Sequence, residues 1–109
     1  PKDEKLAQNI KTKVKNARTI QEERFKNDFP RIFTNSEMSI EEINRFCKLD
    51  SKSTEILEKA EEKFGLSPRG IHKILKVSRT IADLEESPEI KTVHLLEALQ
   101  YRETVTNNF

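Results

Sequence analysis

A single cysteine, two glycines and no tryptophan occur among 109 residues. One cysteine excludes an internal disulfide, and no apolar run approaches the ~20 residues that a membrane-spanning helix needs. The expectation is a cytoplasmic protein with no membrane partner. No alternation of apolar and polar residues is long enough for a convincing strand, and the scarcity of glycine argues against a low-complexity chain. Chemistry is sparse too. There is no glycine-rich phosphate loop ending in Lys and Ser/Thr and no strand ending in paired acids, so the chain is not expected to hydrolyse ATP by itself. His72 and His94 lack a partner at ligand spacing and Cys47 lacks a second cysteine, so no metal site is expected. Cys47, beside Phe46, reads as a small buried apolar residue, and His94 as structural. Met38 and the six phenylalanines fall at core or loop-anchor positions, not between basic residues as base-stacking platforms would. The chain begins without Met and without a signal pattern, and we read it as an excised fragment.

What is abundant is charge. Residues of both signs make up 36% of the chain against 34% hydrophobic, with a net charge of +1. That composition fits one small domain with a modest core and helices laced with surface charge. The charge is segregated: the first 27 residues carry an excess of Lys and Arg, whereas Glu37 to Glu62 is acidic.

The apolar spacing reads as all α. From about Lys5 to Phe25, the residues Leu6, Ile10, Val14, Ala17 and Ile20 recur at steps of three or four, a long amphipathic helix whose narrow stripe suits one partner surface. Asn27 to Ser39 holds Phe29-Pro30, Ile32-Phe33 and Asn35-Ser36 and reads as an ordered loop. Ser39-Ile-Glu-Glu42 is a capping box opening a short helix with Ile40, Ile43, Phe46 and Cys47 inside. Asp50 or Ser51 starts the next helix, with Ile56, Leu57, Ala60 and Phe64 in its core and Gly65 as its left-handed stop. A last helix is expected from Val93 to about Arg102, capped by Thr92, with Leu95, Leu96, Leu99 and Tyr101 as apolar members and Thr104 to Phe109 frayed. Four short helices joined by short loops make a compact bundle behind the long first helix.

The helix between these, from Pro68 to about Glu85, carries the most information. Ser67 can cap it and Pro68 suits its first position. Ile71, Ile74, Leu75, Ser78, Ile81 and Ala82 form a core-facing stripe, and Arg69, His72, Lys73, Lys76 and Arg79 form a basic ridge opposite. Arg69 is the anomaly. A cation in the first turn faces the partial positive charge of unpaired N–H groups, a cost of roughly 0.3–1 kcal/mol, and so invites a functional explanation.

The residues also form a familiar set. Val14, Ala17, Arg18, Gln21, Arg24 and Phe25, then Phe46-Cys-Lys-Leu-Asp50, Leu66-Ser-x-Arg-Gly70, Ile74-Leu-Lys-Val77, Arg79-Thr-Ile-Ala-Asp-Leu84 and His94 to Arg102, resemble in order the C-terminal domain of magnesium chelatase-like ATPases of the ComM/YifB group. The resemblance implies a helical AAA+ lid over residues 28–109 preceded by a connecting helix, 1–27. It implies an upstream AAA+ core in the complete protein, assembly into a ring, by expectation a hexamer, and ATP with Mg as cofactors of the full-length assembly. In such lids an arginine opening this helix, named sensor 2, reaches the ATP γ-phosphate; the matching position is Arg69. A charge-assisted bond of ~1.5–3 kcal/mol would outweigh the local penalty. The ComM group further implies DNA remodelling by branch migration in competence. Two other readings stay open: an autonomous nucleic-acid-binding module using Lys11, Lys13, Lys15 and Arg18 or the ridge from Lys73 to Arg79, and a structural adaptor docking through the first helix.

Overall fold

The computed structural model describes the backbone of residues 2–26 and 32–107, and the side chains of 4–26 and 32–101. Phe29 and Pro30, and the boundary set at residue 27, lie outside these residues. Five α-helices follow one another: α1 (Lys2–Phe25), α2 (Ile40–Phe46), α3 (Ser51–Phe64), α4 (Pro68–Leu84) and α5 (Thr92–Asn107), with a 3-10 turn at Asn35–Glu37 before α2. No strand occurs among the described residues, so the fold is the all-α one that the spacing predicts.

Local chemistry accounts for the boundaries. The Asp50 carboxylate accepts the Ser53 N–H at 2.7 Å to open α3, and the Ser67 hydroxyl accepts the Gly70 N–H at 3.1 Å to open α4, with Pro68 in the first turn. At α2 the Glu42 carboxylate accepts the Ser39 N–H at 3.0 Å and the Ser39 hydroxyl at 2.7 Å. Those bonds favour the ionised form and hold the Glu42 carboxyl below its usual value. Gly65 ends α3 at φ 62°, and nothing lies within 4 Å of where its Cβ would be, so backbone conformation alone selects glycine there.

Two apolar clusters share α4. Leu57, Ala60, Leu66, Ile74, Leu95, Ala98 and Leu99 join α3 and α5 to one side of it. Phe25, Met38, Ile43, Cys47, Ala82 and Ile90 join α1 and α2 to its other end. The Phe25 and Phe46 rings meet edge to face at 5.5 Å, a geometry favoured by their quadrupoles. Burial pushes the Cys47 thiol up to about 11, as suits a packed residue.

Several expectations need correction. Ile40 is exposed, not internal, because α2 is a short cap whose first turn overhangs the groove described below. Leu96 and Tyr101 are also exposed; α5 buries the Leu95, Ala98, Leu99 face instead. The helical backbone of α5 runs to Asn107, past the end expected near Arg102. The expected loop before α2 contains the 3-10 turn, and Asn35 within it is buried. His94 is structural as read, but by an unforeseen route. Its Nδ1 accepts the Lys91 N–H at 2.9 Å, which leaves Nε2 to donate to Glu85 at 2.6 Å and ties the start of α5 to the end of α4.

Candidate functional site: a cationic groove on α4

The ridge expected along α4 divides in two. Its C-terminal part is internal. Arg79 is buried, its Nε bonded to Asp83 at 3.2 Å and its Nη atoms to the carbonyls of Ser87 at 2.7 Å and Pro88 at 3.2 Å. Placing Arg79 on an exposed ridge was therefore incorrect. Its partners all lie within nine residues, and the i,i+4 spacing of Arg79 and Asp83 was the local signal; what the charge pattern did not reveal is that the chain after α4 turns back to place two carbonyls on the guanidinium.

Asp83 is the centre of that region. Arg24, from α1, donates to both its oxygens at 2.6 and 2.8 Å. Asn35 donates to it at 2.8 Å and to Thr80 at 3.1 Å, and accepts a bond from Arg24 at 2.8 Å. Gln21 accepts the Asn35 N–H at 3.0 Å. One fully buried carboxylate thus organises two guanidiniums, an amide and a hydroxyl. Burial draws the Arg79 guanidinium below its usual value while Asp83 opposes that shift. Among the described residues no buried side-chain nitrogen or oxygen lacks a partner, as a low-dielectric network requires. Sequence reading missed this assembly. The available signal was that Gln21 and Arg24 share a helix face with Ala17 and Phe25, polar groups on a stripe that packs.

The N-terminal half of the ridge is open. Arg69, His72, Lys73 and Lys76 line one side of a groove of about 950 Å³, facing Met38, Ile40 and Ile43 across it. Arg69 is exposed and makes no hydrogen bond or ion pair with another described residue. Lys76 donates to the Ser36 carbonyl at 3.1 Å, fixing the groove's far wall. Among the described residues no carboxylate lines the groove. The nearby acids serve the backbone: Glu42 caps α2, and Glu37 accepts the N–H groups of Phe33 and Thr34 at 3.1 Å.

The remaining candidates lie apart from this groove. Lys11, Lys13, Lys15 and Arg18 are all exposed on α1. Lys11, Lys15 and Arg18 follow at steps of four and three along one line, whereas Lys13 falls on another side. Leu6, Ile10 and Val14 are exposed as well, continuing the stripe on which Ala17, Gln21 and Phe25 are buried. Among the described residues, no three of His, Cys, Asp and Glu gather to hold a metal, and no helix is long and apolar enough to cross a membrane.

Fold and groove together define an all-α domain whose Arg24 and Arg79 are bonded internally and whose first-turn Arg69 has no partner among the described residues. The family model for the magnesium chelatase subunit ChlI C-terminal region matches residues 4–102, and the chain belongs to that family. Competence protein ComM of Haemophilus influenzae is 47% identical over 96 residues, covering 88% of this chain and 18% of that protein. Uncharacterized protein YifB of Escherichia coli is 48% identical over 61 residues, 56% of this chain and 12% of its own length. YifB of Salmonella typhimurium is 40% identical over 68 residues, 62% and 13% respectively. The chain therefore spans less than a fifth of the curated relatives it matches.

Proposed function

We propose that this domain is the C-terminal helical lid of a ring-forming AAA+ ATPase, an expected hexamer, and that Arg69 is its sensor 2 arginine, directed at the ATP γ-phosphate in the full-length assembly. The observation that carries the reading is the contrast in pairing: Arg24 and Arg79 are internally bonded, and Arg69 alone of these three has no internal partner among the described residues. A guanidinium in a first turn is disfavoured by the local N–H groups, and a phosphate placed there reverses the sign of the interaction. ATP and Mg belong to the upstream core in this reading; among the described residues the groove offers phosphate donors and no carboxylate. The relationship to the competence protein ComM supports a competence-related role for the whole protein, by expectation DNA remodelling through branch migration.

The test uses the full-length protein. Arg69→Ala should lower ATP turnover by about tenfold or more, the equivalent of one charge-assisted bond, while the domain keeps its helicity and melting temperature. Unchanged turnover would defeat the reading. A second reading, direct nucleic-acid binding, is favoured only by the exposed line of Lys11, Lys15 and Arg18. Such binding to a DNA duplex would weaken steeply between low and moderate salt, and no binding at low salt removes it.

A further inference from the structure

We infer that Lys73 is a second phosphate-binding cation in the groove, acting beside Arg69 on the same triphosphate; this rests on the reading of Arg69 given above. Arg69 and Lys73 stand one helical turn apart, which sets their Cβ atoms about 5–6 Å from each other. Like charges at that spacing destabilise a helix, and among the described residues no acid within the groove offsets them. Glu37 and Glu42, close in sequence to the groove's opposite wall, are held at the caps of the 3-10 turn and α2. Lys76, the next cation along, is tied to the Ser36 carbonyl. Lys73 is exposed and has no partner among the described residues, so its ammonium is free to reach a ligand that Arg69 holds. The two side chains suit different parts of one polyanion. A guanidinium grips a terminal phosphoryl group through two parallel donors, and a flexible ammonium serves as a point charge for an adjacent phosphate.

Because the lysine adds affinity and the arginine acts on the group being transferred, their removal should separate kinetically. Steady-state ATP hydrolysis by the full-length protein is measured for Lys73→Ala, Lys73→Arg, Arg69→Ala and the control Lys52→Ala, which removes an exposed charge from α3. Lys73→Ala should raise KM for ATP by about five- to tenfold with kcat changed less than twofold. Lys73→Arg should restore KM, and Lys52→Ala should leave both constants unmoved. If Arg69→Ala slows turnover and Lys73→Ala leaves KM unchanged, the inference about Lys73 is wrong and the reading of Arg69 stands. If neither variant alters either constant, the reading of Arg69 falls and this inference falls with it. An equal rise in KM for Lys52→Ala would show a general effect of charge and would also overturn the role given to Lys73.

Discussion

Arg79 and Arg69 sit ten residues apart on one helix and differ in almost every respect that electrostatics controls. Arg79 lies in the C-terminal half of α4, short of its last turn, and donates to two carbonyls beyond the helix and to Asp83. Arg69 lies among the unpaired N–H groups of the first turn, where the field opposes it, and bonds to nothing described within the domain. The same residue type thus has a stability role at one end of the helix and leaves an unmet electrostatic demand at the other. The difference follows from what covers them. Arg24 of α1 and the carbonyls of Ser87 and Pro88 meet the C-terminal half of α4 around Asp83 and Arg79, whereas the side of the N-terminal half that carries Arg69 faces the open groove.

Removing the shared carboxylate should produce the largest effect. Asp83→Asn leaves the buried Arg79 and the half-buried Arg24 guanidiniums facing a neutral amide and is expected to cost about 3–5 kcal/mol of unfolding free energy, read by urea denaturation. A loss below about 1 kcal/mol would show that the network contributes little and would blur the contrast between the two arginines. Gly65→Ala should cost about 1–2 kcal/mol, entirely from the left-handed backbone, since its Cβ would meet no neighbour; a larger loss would point to packing instead. Ser67→Ala removes the cap of α4 and should cost about 1 kcal/mol, weakening the helix start that displays Arg69.

Glu42 supplies a pH signature. Its folded carboxyl titrates below the usual value because the Ser39 N–H and hydroxyl bond the ionised form. A depressed value adds stability above the unfolded value near 4.5, and that contribution disappears as pH falls through the lower, folded value. Glu42→Gln should therefore flatten the acid limb of a stability–pH curve, and an unchanged limb would show that the cap is not ionic. Smallest of all, Arg69→Ala should shift unfolding by no more than about +0.3–1 kcal/mol, in the stabilising direction.

Much of the fold was legible because its boundaries rest on short-range chemistry. Ser39 with Glu42, Asp50, Ser67 with Pro68, and Gly65 each act within a few residues of themselves, and each lies where a helix begins or ends. The core stripe of α4 was legible for the same reason, Ile74, Ser78 and Ala82 being buried at steps of four. The Asp83 network was not legible, because Arg24 and Asp83 are 59 residues apart and nothing local distinguishes a carboxylate that will be buried. Arg79 was misplaced for a different reason: it shares a charge pattern with Lys76, but the turn after α4 folds back to bury it against the Ser87 and Pro88 carbonyls. Ile40 shows the converse: its apolar character suited an inner face, yet a helix of seven residues covers too little to bury its own first turn. The candidate site was legible at Arg69, where the clash lies within a single turn, and not in the groove's opposite wall, which comes from a distant segment.

The most direct test sets Arg69→Ala and Arg79→Ala side by side, with ATP turnover of the full-length protein and thermal melting of this domain measured for both. Arg69→Ala should lose about tenfold or more in turnover with its melting temperature unmoved or slightly raised, whereas Arg79→Ala should melt several degrees lower. A domain destabilised by losing Arg69, or an ATPase indifferent to it, would contradict the division of roles along α4.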